Sequence, residues 1–60
     1  MGEKIRALRE AKGLSQKELA EALGVDQTAI SAWEKNKNEP TLFNLRRLCD
    51  VLGVQPAELF

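Results

Sequence analysis

The sequence predicts an all-α fold: a compact domain of five short helices, the second and third joined by a tight turn. Apolar residues return every three or four positions along most of the chain, the repeat of a helix with one buried face. Gly13, Gly24 and Gly53 each stand just beyond such a stretch, where a helix needs a residue that accepts a left-handed backbone. No β-branched or aromatic run alternates with period two, so no strand is expected.

Ile5, Leu8 and Ala11 share a face, and with Gly13 as the stop they place the first helix over residues 2–12. Ser15 followed by Glu18 is a capping-box pattern, in which the hydroxyl and the carboxylate each accept a main-chain N–H at a helix start. The second helix then runs over Gln16–Leu23, with Leu19, Ala20 and Leu23 inward, and ends at Gly24. Asp26 offers a carboxylate cap to a third helix over 27–35, which buries Ile30 and Trp33 and stops at Asn36, a residue tolerant of positive φ. Residues 36–40 are polar, include Pro40 and read as a loop. Thr41 caps the fourth helix, whose Leu42, Leu45, Leu48, Cys49 and Leu52 form a dense apolar stripe as far as Gly53. Pro56 suits the first turn of a short fifth helix bearing Leu59 and Phe60.

With 60 residues the chain has room for one domain, and folding at that size buries only about 60% of the unfolded surface. A composition 43% hydrophobic and 30% charged is that of a globular protein, and no apolar run approaches the ~20 residues that span a bilayer. Residues 1–12 alternate charged and apolar side chains without the apolar core of a signal peptide, so a cytoplasmic location and no membrane partner are expected. The single cysteine, Cys49, lies in the stripe of the fourth helix and reads as a small buried hydrophobe. The chain has no histidine, and Glu18 and Glu21 lie on a helix surface with no metal partner. No metal, cofactor, small-molecule ligand or enzymatic centre is therefore expected. Net charge is zero, which gives no overall attraction to nucleic acid. Residues 1–20 nevertheless carry five basic against three acidic side chains, and residues 21–40 two against four.

Residues 16–35 carry the functional signal. Their pattern is that of two helices crossing at about 90–120° through a tight turn. Ala20 stands where the two approach, Gly24 permits the turn, and Leu19, Leu23, Val25, Ile30 and Trp33 lock the pair together. Taken singly, such residues occur in any small helical bundle; their combination marks a helix-turn-helix. It leaves Gln27, Thr28, Ser31, Ala32 and Lys35 on the outside of the third helix. These short or hydrogen-bonding side chains suit a surface that enters the major groove of double-stranded DNA and meets base edges. The Gln27 amide matches the paired donor and acceptor of adenine, and Thr28 suits either a thymine methyl or a phosphate. Asp26 sets a negative charge nearby that contributes to specificity by repulsion.

In Gly13-Leu14-Ser15-Gln16, Leu19-Ala20, Gly24-Val25, Ile30-Ser31, Trp33-Glu34, Pro40, Leu45, Leu48 and Leu52-Gly53-Val54, the chain resembles the DNA-binding domain of phage repressors, Cro proteins and their bacterial relatives. The resemblance covers nearly all of residues 1–60, and implies the five-helix lambda-repressor-like fold and a repressor-like transcriptional regulator. It implies base reading by Gln27, Thr28, Ser31 and Ala32. It makes Gln16 a phosphate contact and a brace for Gln27, and it sets Lys35, Asn36 and Lys37 beside the DNA backbone. Lys17 and Thr41, at the starts of the second and fourth helices, are expected to complete the phosphate contacts, and the resemblance implies an ion pair of Arg9 and Glu34 between the first and third helices. A homodimer on DNA is the implied assembly, in the bacterial or phage-infected cytoplasm. The chain departs from the family at Asn36, where glycine is frequent, and at Phe43, where a polar residue is usual.

The alternative is a protein-interaction module on the same fold, such as an antitoxin or an adaptor domain, and an idealised synthetic sequence would keep the fold with only nominal function. Zero net charge and the apolar residues Phe43, Leu59 and Phe60 favour a protein partner, while the polar outside of the third helix and its flanking lysines favour DNA. Leu59 and Phe60 either form a surface for a second copy or fold back on the first helix.

Overall fold

The computed structural model describes residues 1–60 and contains four α-helices: α1 (Gly2–Ala11), α2 (Gln16–Leu23), α3 (Gln27–Glu34) and α4 (Leu42–Leu52). The expected fifth helix is a single 3₁₀ turn, Pro56–Leu59. Four residues give too few hydrogen bonds to offset α-helix nucleation, and the turn closes instead through Glu58 N–H to Gln55 O at 2.9 Å. Lys12 and Lys35 act as C-caps, so α1 and α3 each stop one residue before the expected end, within the range over which helix termini fray.

The capping chemistry of α2 is complete: Glu18 N–H donates to Ser15 Oγ at 3.0 Å and Ser15 N–H to Glu18 Oε1 at 2.8 Å. Thr41 caps α4 by accepting from Asn44 N–H at 3.2 Å. Asp26 departs from expectation. It holds the N-cap position of α3, yet its side chain makes no capping bond; the Ala29 N–H that such a cap can take donates instead to the Asp26 main-chain carbonyl at 3.0 Å. Between α2 and α3 the chain turns through Gly24 at φ 71°, a backbone that any Cβ would strain. Asn36 is the only non-glycine residue in that region, at φ 59°.

One core joins all the elements. Ile5 of α1, Leu19 and Leu23 of α2, Ile30 of α3, Leu48 of α4 and Leu59 of the 3₁₀ turn are fully buried. α2 packs on α3 and α4, α1 packs on α3, and the 3₁₀ turn closes over α1 and α4. Leu59 is therefore a core residue and offers nothing to a partner, whereas Phe60 remains 65% exposed. Leu42 is 71% exposed. It stands about 70° from the centre of the α4 stripe, at its edge, and so misses the core that takes Leu45, Leu48, Cys49 and Leu52. Burial pushes the Cys49 thiol up, helped by the charges of Asp50 and Glu58, which keeps it protonated and unreactive. No helix is long and apolar enough to cross a membrane.

Two contacts that position α2 and α3 were not visible in the sequence. Arg47 of α4 donates from its guanidinium to the main-chain oxygens of Leu23 at 3.0 Å and Ala22 at 3.3 Å, satisfying carbonyls that the end of α2 leaves open. The same guanidinium lies 5.7 Å from the centre of the Phe43 ring. At the other end, Gly2 N–H donates to Asn36 Oδ1 at 3.0 Å. A Cβ on Gly2 would stand 2.5 Å from the Glu34 carbonyl oxygen and collide with Trp33 O as well, so only glycine lets α1 start this close to the end of α3.

Candidate nucleic-acid interface

The outer face of α3 follows from helical geometry. At 100° per residue, positions 27, 28, 31, 32 and 35 fall within an arc of about 140°, with Ile30 and Trp33 on the opposite side. Gln27, Thr28 and Lys35 are exposed, Ser31 and Ala32 are half-buried, and Ile30 and Trp33 are in the core. The face is thus polar, low in profile and held from behind by buried apolar side chains. Capping at Ser15 and Thr41 fixes where α2 and α4 begin, and that sets the height of Gln16, Lys17 and Thr41 relative to α3.

Around this face the side chains fall into two groups. Lys17, Lys35 and Lys37 are exposed and their side chains make no hydrogen bond or ion pair within the chain, so their ammonium groups are free for an external anion. Gln16, Asn36 and Thr41 are partly committed. Thr41 Oγ1 accepts from Asn44 N–H and retains its own proton to donate. Asn36 gives its Oδ1 to Gly2 N–H and keeps its amide nitrogen. Gln16, half-buried at the first position of α2, donates from Nε2 to Glu34 Oε1 at 3.0 Å. Its bond is to the last residue of α3 rather than to Gln27 at the first, so it does not brace Gln27 in this structure.

Behind Gln16 lies the most polar point of the interior. Arg9 Nε donates to Glu34 Oε2 at 2.6 Å and Nη2 donates to Glu34 Oε1 at 3.2 Å, with the two side chains only 10% and 4% exposed. Arg9 Nη1 also donates to Leu14 O at 2.8 Å, in the loop between α1 and α2. Every donor and acceptor of the cluster that is fully removed from water is paired, the condition under which a buried ion pair is tolerated. Burial pushes the Glu34 carboxyl up, but the hydrogen bonds from Arg9 and Gln16 and the charges of Arg9 and Arg6 outweigh it and hold the group below the usual carboxylate range. Arg9 is raised above its ordinary value, chiefly by its hydrogen bond to Glu34. The Glu18 carboxyl is lowered by the main-chain N–H of Ser15 that it accepts.

The likenesses of the chain to known proteins agree with this arrangement. The helix-turn-helix family model matches residues 5–59. The transcriptional activator BcrR of Enterococcus faecalis is 42% identical over 57 residues, which are 95% of this chain and 28% of that protein. Among solved structures, the P22 c2 repressor in complex with synthetic operator 9T superposes with a TM-score of 0.93 at 39% identity, covering 98% of this chain and 89% of the repressor chain. SinR, the master regulator for biofilm formation, in complex with DNA superposes with a TM-score of 0.92 at 34% identity over the whole of both chains. The chain spans less than a third of the length of the first curated relatives it matches.

Proposed function

Because the chain belongs to the helix-turn-helix family, we propose that residues 1–60 form a single DNA-binding domain of a transcriptional regulator, repressor-like in action, with α3 in the major groove of duplex DNA. The observation that carries this reading is the outer face of α3, where Gln27, Thr28, Ser31 and Ala32 share one side of a helix locked from behind by Ile30 and Trp33. The structures of the P22 c2 repressor and SinR, both bound to DNA, support it. Gln27 and Thr28, in the first turn, reach furthest toward base edges, and Ser31 and Ala32 let the helix sit close. Lys17, Lys35 and Lys37 meet phosphates as free cations, and Gln16, Asn36 and Thr41 meet them as neutral donors.

Selection of bound sites from random duplexes supplies the operator for the decisive comparison. On it, Gln27→Ala is expected to cost about 1–3 kcal/mol and to relax preference at one base pair. Lys37→Ala is expected to weaken all sequences alike and to lower the salt slope by about one unit. Equal loss on every variant site for Gln27→Ala would remove this residue from base reading.

The unit on DNA is a homodimer in this reading. One recognition helix reads few base pairs and a neutral domain gains little from counterion release, so two copies on half-sites ~34–36 Å apart supply the missing affinity. With Leu59 buried, the apolar surface at the carboxyl end reduces to Phe60. Titration onto duplexes carrying one or two half-sites is expected to show steep binding only on the double site, and Phe60→Ala is expected to flatten it. Identical, non-cooperative curves on both duplexes would contradict pairing through this end.

A further inference from the structure

The Gln16 amide has two N–H groups on one nitrogen, and the structure engages one of them with Glu34 Oε1. That carboxylate is held at both ends: both oxygens are bonded by Arg9, the pair is nearly excluded from solvent, and Arg9 is itself tied to Leu14 O. Gln16, by contrast, is only half-buried and opens α2. A neutral amide between two acceptors is suited to bridge them through its two protons. The negative charge of Glu34, which by itself would repel a second anion, is cancelled at contact distance by Arg9.

We propose that Glu34 is a positioning residue for DNA binding: paired with Arg9, it fixes one N–H of Gln16 and leaves the second N–H of the same nitrogen for a backbone phosphate oxygen. The proposal rests on the DNA-binding reading above and deepens it. It makes the internal ion pair part of the DNA contact, acting through a side chain on another helix. It also orients the Gln16 amide unambiguously, because an inward carboxylate accepts only from the nitrogen end.

The test changes geometry without changing charge. Glu34→Asp keeps the carboxylate and its attraction to Arg9 but shortens its reach toward Gln16. On the selected operator, with each protein's folded fraction verified by circular dichroism, Glu34→Asp is expected to lower affinity about 3- to 10-fold per half-site, the scale of one hydrogen bond. The same substitution in a Gln16→Ala background is expected to have no further effect, and the salt slope is expected to stay constant because no charge is lost. Equal losses in both backgrounds would mean that Glu34 serves stability alone and would overturn the proposal. Side-chain amide NMR of the unsubstituted protein gives a second readout that does not depend on a variant folding. One Gln16 amide proton is expected to be hydrogen-bonded before and after the operator is added, and the other to shift on binding. An amide that releases Glu34 on binding, or two protons indifferent to DNA, would also overturn it. If the unsubstituted protein selects no duplex, the DNA-binding reading itself fails; if it binds and Lys37→Ala weakens it while Glu34→Asp behaves equally in both backgrounds, only the positioning role fails.

Discussion

Replacing Glu34 with alanine is expected to cost about 3–5 kcal/mol, because it leaves the Arg9 guanidinium buried without its counter-charge. A domain of this length has about 3–9 kcal/mol of stability in all, so the variant is expected to lose most or all of its cooperative urea transition. Arg9→Ala strands the opposite charge and should behave similarly. The double replacement Arg9→Met with Glu34→Leu removes both charges and restores apolar volume, and it is expected to recover most of the loss. The coupling in an alanine cycle should exceed the ~0.2–1 kcal/mol of exposed pairs, since the two side chains are 10% and 4% exposed and share two hydrogen bonds. Additive single losses would show that the pair is not formed in solution. Acid provides an independent check. The folded-state carboxyl of Glu34 lies below its ordinary value of 4.5, so its contribution is fully present above that value and is lost as pH falls through the depressed one. The unsubstituted protein should therefore lose stability below about pH 4.5, and the double apolar variant should lose less over the same interval.

Trp33→Ala is expected to be comparably severe, at about 3–5 kcal/mol, because it empties the largest side-chain volume in α3. Trp33 is 6% exposed and belongs to the one buried core that joins the helices, so the void would open inside that core. Trp33→Phe keeps part of that volume and should retain a cooperative transition with a lower midpoint. The indole is also an intrinsic fluorophore. Its emission should be blue-shifted in the folded protein and should change little when operator is added, because it lies on the side of α3 away from the polar face. A well-folded Trp33→Ala protein that has lost DNA binding would instead mean that the ring stacks on nucleic acid.

Local rules made most of the fold legible. Ser15 with Glu18, Thr41, Gly24 and Gly53 marked helix ends through chemistry confined to four or five neighbouring residues, and the structure uses each of them at that place. The outer face of α3 was equally legible, because Ile30 and Trp33 fix by helical repeat which residues remain outside. Legibility failed where one position answered to a distant partner. The sequence suggested a carboxylate cap at Asp26, but the carboxylate makes no capping bond and the main-chain carbonyl takes the Ala29 N–H in its place. It did not reveal that Arg47 would finish α2 from another helix, since an arginine in an amphipathic stretch is ordinarily solvated. Leu42 shared a spacing with the core and missed it by an angle that only the packed helices define. Pro56 announced a helix start, and the structure has a single 3₁₀ turn there, Pro56–Leu59, a distinction that the proline's fixed φ does not make.

The contacts around the end of α3 also govern where the chain tolerates a change of length. Glu34 answers to Arg9 and Gln16, Asn36 answers to Gly2 through its side chain, and Lys37 N–H donates to Ala32 O at 2.9 Å. One inserted residue anywhere in 34–37 would throw at least one of these partners out of register. Asn38 and Glu39 are exposed, and neither engages another part of the chain through a hydrogen bond or an ion pair. Extra residues at that two-residue window meet only the slow rise of loop-closure entropy with length. An epitope, a cleavage site or a dye-bearing cysteine placed there would leave α1, α2 and α3 keyed to one another, and the window is the natural seam of the molecule.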